Sequence, residues 1–82
     1  MSPEPTARQR EVLTRIDEHR KTHGHAPTLN ELGEALGISS LYAVSCHLQA
    51  LRTKGFVEWT PKLARTLSIT SAGRRFLPAR AA

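Results

Sequence analysis

The segment 41–54 combines an apolar stripe at helical spacing with an opposite face whose side chains can contact nucleic-acid bases. That face is mostly uncharged and free of acidic residues; it comprises Tyr42, Cys46, Gln49 and Thr53, flanked by Ser45 and Arg52. In a DNA major groove, amides and hydroxyls hydrogen-bond base edges, so Gln49 suits adenine and Ser45 suits several bases. Tyr42 and Ala43 lie at the N-terminal end, where recognition helices usually touch bases. The alternative is a solvated face, but such a face typically carries Glu and Lys.

The charge distribution favours an anionic partner for this half of the chain. The whole sequence has a net charge of +5 and a pI of about 10.4. Residues 1–41 hold five basic and six acidic residues, a balance of −1, whereas residues 42–82 hold seven basic residues and one acidic residue, a balance of +6. Basic and apolar residues are interleaved between 52 and 65, which indicates a folded basic face rather than a disordered tail.

Length and composition exclude several classes of protein. A chain of 82 residues has room for one small domain, and 39% hydrophobic residues with 23% charged residues are typical of a folded one. The single cysteine, Cys46, excludes an internal disulfide and a cysteine-based zinc site, and it suits a reducing cytoplasm. No apolar run is long enough for a membrane span or a signal peptide. We therefore expect a cytoplasmic protein.

Local signals predict three helices. Thr6 and Gln9 form a capping box that begins a first helix at Ala7, and the helix is expected to end near Thr22, before Gly24. A second capping box, Thr28 to Glu31, begins a short helix that Gly37 closes. Its leucines, Leu29, Leu32 and Leu36, are expected to point inward. One of two serines, at 39 and 40, caps the third helix, which runs to Lys54 with Leu41 beside its buried stripe of Val44, Leu48 and Leu51.

A short capped helix, a tight turn with glycine and a longer helix predict a helix-turn-helix, with a general helical hairpin as the alternative. Gly33 and Ala35 are small enough to allow the second and third helices to approach closely. After Gly55 the period changes to two, so 56–59 and 66–70 are predicted strands joined by a basic loop, 60–65. The predicted fold class is therefore mainly α with a small β-hairpin. The domain is expected to cover residues 6–70, after a disordered N-terminus at residues 1–5. Residues 71–82 are predicted as a tail or short helix, with a turn at Ser71.

The stretch from Thr6 to Ile69 resembles the DNA-binding domain of LexA-type repressors. The resemblance is carried by T-A-R-Q at 6–9, G-x-x-P-T at 24–28, H-L-x-A-L at 47–51 and K-G at 54–55. It implies a winged helix-turn-helix of three helices and a two-stranded wing. It also implies a sequence-specific regulator of transcription, commonly a repressor, that binds double-stranded DNA as a homodimer on a palindromic operator. A cytoplasmic protein of this kind is expected to be bacterial, phage-encoded or nucleoid-associated.

The resemblance also assigns residues. Positions that read bases in that family match Ser40, Tyr42, Ala43, Ser45 and Cys46, to which the residue chemistry adds Gln49. Several members carry Asn or Glu at some of these positions, so a different operator is expected here. Wing positions that contact the DNA backbone or minor groove match Lys62 and Arg65. We also expect backbone contacts at the helix ends and their neighbours, from Thr28, Ser39, Arg52 and Lys54. LexA-type repressors continue into a self-cleaving domain whose motifs these 82 residues lack, so autocleavage is not implied.

Other functions fit the sequence less well. His19, His23 and His25 cluster, but no obvious further ligands accompany them, so no metal site is predicted. No arrangement of nucleophile and base or of paired carboxylates in a pocket indicates an enzyme, a cofactor or a small-molecule substrate. A protein-interaction module with an apolar patch at Leu41, Leu63 and Phe76, from a phage or toxin-linked system, is the main alternative. A third is non-specific coating of nucleic acid.

Overall fold

The computed structural model describes residues 4–60 and 65–77. Within them, four helices and two strands follow in the order α1 (Ala7–His23), α2 (Leu29–Leu36), α3 (Leu41–Thr53), β1 (Val57–Glu58), β2 (Ser68–Ile69) and α4 (Ser71–Arg74). The strands pair antiparallel, with Val57 opposite Ile69 and Glu58 opposite Ser68. A helix-turn-helix followed by a β-hairpin is the architecture of a winged helix-turn-helix. No helix in these ranges is both long enough and apolar enough to cross a membrane.

Both predicted capping boxes are present. The Thr6 hydroxyl accepts from the Gln9 N–H at 3.1 Å, and the Gln9 side chain accepts from the Thr6 N–H at 3.0 Å. Thr28 and Glu31 repeat the arrangement at the start of α2. Gly24 and Gly37 end α1 and α2 in the left-handed conformation, with φ of 78° and 72°. Each signal acts on backbone groups only a few residues away. The predicted ends of α1 and α2 therefore lie within one residue of the observed ends.

The core is aliphatic and lies where α1, α2, α3 and the hairpin meet. Its buried hydrophobic residues are Val12, Leu13, Ile16, Ala26, Leu32, Leu36, Val44, Leu48, Leu51, Phe56, Val57, Leu67 and Ile69. Gly33 permits the close approach of α2 to the turn, since a Cβ there would lie 2.9 Å from the carbonyl oxygen of Ile38 and 3.4 Å from Val44 Cγ2. Ala35, expected to serve the same purpose, is exposed instead.

Two leucines depart from the predicted pattern. Leu29 is 41% exposed, so its predicted inward position is wrong, and Leu41, expected beside the buried stripe of α3, is 44% exposed. Each is the first residue of its helix and lies at the rim of a groove rather than against the core. Helical periodicity gives the direction of a side chain around the axis, but it does not say where the neighbouring helix ends.

The hairpin is shorter than predicted and is contacted by α1 and by the segment that follows β2. Only two residues in each strand form the ladder, where four and five were expected. The Arg20 guanidinium donates to the carbonyl of Leu67 at 3.2 Å and so joins α1 to β2. Beyond the hairpin, α4 begins at Ser71, where a turn was predicted, and Phe76 packs edge-on against Phe56 with ring centroids 5.1 Å apart.

Candidate nucleic-acid interface

The position of α3 is fixed by its cap and by one buried stripe. Ser40 is the N-cap, and its hydroxyl accepts from the Ala43 N–H at 3.3 Å. Val44, Leu48 and Leu51 are the buried residues of the helix, all on one side. At about 100° per residue, the direction opposite this stripe passes close to Tyr42, Cys46, Gln49 and Thr53. All four are exposed, as predicted, and we call them the outer face of α3.

Tyr42 and Cys46 are paired on the outer face. Tyr42 is 78% exposed, a large value for an aromatic side chain, and Cys46 is an exposed free thiol. They stand one turn apart on the helix, which is the spacing at which side chains meet. A hydrogen bond between the two side chains raises the pKa of the Tyr42 hydroxyl. Both side chains are therefore accessible to a partner on the outer face.

A groove runs beside the outer face. Its walls are the first turn of α2, the side of α3 that faces the hairpin, and the hairpin itself. We call it the α2–α3–wing groove; its cavity volume is about 500 Å³. Leu29, Leu41 and Trp59 contribute apolar surface to it, while Thr28, Ser45 and Gln49 contribute polar groups. Of the predicted base-reading residues, Ser45 and Gln49 line this groove. Ala43 does not line it and is half-buried on the opposite flank of α3.

Two predicted DNA-backbone residues are associated with this groove, and both already have partners: Arg65 lines it, and Arg52 contacts Trp59, one of its lining residues. The Arg52 guanidinium lies over the Trp59 ring, 4.5 Å from its centroid, an arrangement that combines stacking with cation–π attraction. Arg65 donates to the Glu31 carboxylate at 3.1 Å and 3.4 Å and to the Ala26 carbonyl at 3.0 Å. Arg65 itself has a φ of 62°, a left-handed conformation that non-glycine residues seldom adopt.

Glu31 holds the wing and α2 together. Its carboxylate accepts from the Thr28 N–H at 2.9 Å as well as from Arg65. The Thr28 backbone hydrogen bond, followed by the Arg65 side-chain hydrogen bond, lowers the pKa of Glu31 from 4.5 to about 2. The capping role of Glu31 follows from its local spacing. Its contact with Arg65 spans 34 residues of sequence, so no local signal indicates it.

Lys54 lies elsewhere than expected. It was predicted in the basic surface around the outer face, but it lies roughly 110° around the axis from that face. Its ammonium donates to the Gln9 side-chain oxygen at 2.8 Å and to the Glu4 carbonyl at 3.0 Å, joining the end of α3 to the beginning of α1. Glu4 and Pro5 belong to the start expected to be disordered, yet Pro5 is buried. A phosphate contact by Lys54 stays a prediction, and it would require the ammonium to leave these partners.

The remaining predicted residues have varied positions. Thr28 and Ser40 are N-caps whose hydroxyl oxygens accept backbone hydrogen bonds, and their hydroxyl protons stay available to an acceptor such as a phosphate. Ser39, just before the cap of α3, is exposed. Lys62 lies outside the described residues.

The three histidine rings pack together, with His19 and His23 stacked and His25 tilted against both. His19 and His23 have centroids 4.2 Å apart, and His25 lies 5.4 Å from His19. Burial, and then the neighbouring His23, lower the pKa of His19. Among residues 4–60 and 65–77, no group of three His, Cys, Asp or Glu side chains is arranged to hold a metal ion.

The apolar patch of the alternative interaction module does not form as predicted. Leu41 is exposed, but Phe76 is half-buried against Phe56 and the core. The third member, Leu63, lies outside the described ranges. Within residues 4–60 and 65–77, the exposed large hydrophobic residues are instead Leu29 at the start of α2 and Leu41 and Tyr42 at the start of α3.

Comparisons with known proteins identify a single family. The family described as LexA DNA binding domain matches residues 2–66. A LexA repressor of Anaeromyxobacter dehalogenans is 46% identical over 72 residues, which are 88% of this chain and 32% of the relative. A LexA repressor of Myxococcus xanthus is 39% identical over 74 residues, covering 90% of this chain and 33% of the relative.

A third relative, the LexA repressor of Staphylococcus aureus, is 38% identical over 68 residues, covering 83% of this chain and 33% of its own length. The chain thus spans about a third of the length of the curated relatives that it matches.

Proposed function

Because this chain belongs to the LexA DNA-binding domain family, we propose that it is a sequence-specific double-stranded DNA-binding protein that represses transcription. One observation carries the proposal, the outer face of α3, where a helix of 13 residues exposes hydroxyl, amide, thiol and aromatic groups without a carboxylate. A phosphodiester backbone repels carboxylates. Base edges, in contrast, accept hydrogen bonds from such uncharged groups and donate hydrogen bonds to them.

We propose a division of labour between α3 and its surroundings. The predicted base readers are the side chains on and before α3: Ser40, Tyr42, Ala43, Ser45, Cys46 and Gln49. We propose phosphate or minor-groove contacts from Thr28, Ser39, Arg52, Lys62 and Arg65; Lys54, also predicted from the sequence, is bonded to Gln9 and Glu4, and we assign it a stabilising role instead. Support for the second set is strongest at Thr28, which lines the α2–α3–wing groove, and at Arg52, which lies over Trp59 in the wall of that groove. Phosphate contacts supply most of the affinity and little of the sequence preference.

We also propose that two copies bind one palindromic operator. A domain of 82 residues presents a single recognition helix, and one such helix covers only a half-site. Pairing two copies on DNA, with half-sites about one helical turn apart, supplies the length that specificity requires. The proposal includes cytoplasmic localisation and a binding function without catalysis or cofactor.

The test is a binding titration with selected and scrambled duplexes. Duplexes enriched from a random pool should bind at least roughly 1,000-fold more tightly than scrambled ones, the lower end of specific recognition. If each copy neutralises about four phosphates, the logarithm of affinity should fall with the logarithm of salt at a slope of about −3.6 per copy. Equal affinity for all duplexes would indicate non-specific coating, and affinity without salt dependence would refute DNA binding.

A further inference from the structure

Assuming the proposed DNA binding, we propose that the outer face of α3 selects A·T base pairs: Gln49 reads adenine, and Tyr42 with Cys46 contacts thymine methyl groups. The half-site would then be recognised through amide and apolar contacts. Guanine and cytosine would receive no charged partner from this face.

The absence of charge on α3 is the first argument. No Asp, Glu, Lys or Arg occurs between Leu41 and Leu51. Arginine and lysine make the commonest specific contacts to guanine O6 and N7, and acidic side chains accept from cytosine N4. Arg52 is the first charged residue, and its guanidinium is stacked on Trp59 at the hairpin side. His47 is half-buried, on a flank about 130° from the outer face.

The Gln49 amide is the second argument. Gln49 is exposed, and within the described residues no hydrogen bond holds its side chain. An unbonded glutamine amide offers one donor and one acceptor side by side, which is the pattern complementary to adenine N7 and N6 in the major groove. Tyr42 lies seven residues earlier on nearly the same face, about 10 Å along the axis, or roughly three base-pair steps.

The Tyr42–Cys46 pair is the third argument. Tyr42 and Cys46 are both exposed and stand one helical turn apart, so the ring and the sulfur present neighbouring, largely apolar surface on the outer face. The thymine methyl is the principal apolar group that base pairs present in the major groove. Leu41, also exposed, extends this apolar surface toward the α2–α3–wing groove. A polar base edge against the Tyr42 ring would lose its water without gaining a hydrogen bond.

The decisive experiment replaces thymine by deoxyuridine, which removes only the methyl group. The half-site is first obtained by selection from a random duplex pool, and each thymine in it is then replaced in turn. The wild-type protein should lose about fourfold in affinity at a thymine facing Tyr42, the effect of one buried methyl group. The same replacement in the flanking DNA should change nothing.

Variants link the effect to the protein. Tyr42→Ala should bind the thymine duplex more weakly and should no longer distinguish thymine from uracil, and its circular dichroism should match wild type because Tyr42 is 78% exposed. Arg8→Ala, on the distant helix α1, should keep the full thymine preference. Gln49→Arg should change the preferred pair at one position from A·T to G·C, because arginine reads guanine.

The outcomes separate the two proposals. If no sequence is enriched from the pool, the proposed function fails. If a sequence is enriched but its contacted positions are G·C pairs, or uracil binds as well as thymine throughout, sequence-specific binding stands and the A·T assignment is overturned.

Discussion

Replacing Lys54 by methionine tests whether this lysine stabilises the domain or binds DNA. Methionine retains the apolar stem of the side chain and removes the ammonium, which donates to Gln9 at 2.8 Å and Glu4 at 3.0 Å. A charge-assisted hydrogen bond contributes about 1.5–3 kcal/mol when buried. Here the contact to Glu4 is exposed, and the Gln9 oxygen keeps its other donor, the Thr6 N–H. We therefore expect a loss of about 1 kcal/mol in unfolding free energy, below the range for a buried contact.

The measurements are thermal unfolding by circular dichroism and DNA affinity across a salt series. A loss of about 1 kcal/mol lowers the Tm of a domain this size by about 4–8 °C. The slope of log affinity against log salt should stay unchanged. Arg8→Ala is the matched control, because it also removes one positive charge but breaks only an exposed ion pair to Glu11. An unchanged Tm with a slope less steep by about 0.9 would refute the reasoning and make Lys54 a phosphate contact.

Three further changes test the packing and the ionisable groups. Gly73→Ala should destabilise the domain by about 1–3 kcal/mol in urea unfolding, because its Cβ would overlap the Phe56 carbonyl oxygen and lie 2.8 Å from Ile69 Cγ2. Since burial lowers the pKa of His19, unfolding free energy should fall as pH drops below 6.5, and His19→Gln should reduce that dependence. Glu31→Gln should remove the loss of stability between pH 4.5 and about 2, the interval between its unfolded and folded pKa.

Each of these has an opposing result. A Gly73→Ala variant as stable as wild type would mean that α4 does not pack closely on the segment before β1. If the unfolding free energy of His19→Gln depends on pH as in wild type, another group causes the loss of stability below pH 6.5. If that of Glu31→Gln also depends on pH as in wild type, the Glu31 carboxylate does not contribute to acid unfolding.

The sequence predicts local features well because their causes lie a few residues apart. The Thr28–Glu31 capping box and the left-handed Gly37 are both contained within ten residues, and both are present. The exposed side of α3 follows equally from its apolar stripe. The partners of Lys54 and Arg65 lie 45 and 34 residues away, at places that depend on how α1 and the hairpin pack, so spacing along the chain does not reveal them.

The Glu31 carboxylate has a consequence for the entropy of association. It accepts from the Thr28 N–H at the start of α2 and from Arg65 at the hairpin, so one group ties together two walls of the α2–α3–wing groove. If either the start of α2 or the hairpin moves away, it loses its hydrogen bond to Glu31. The width of the groove is thus set before any partner arrives. A preorganised groove loses less conformational freedom on binding, and more of its contact energy therefore remains as affinity.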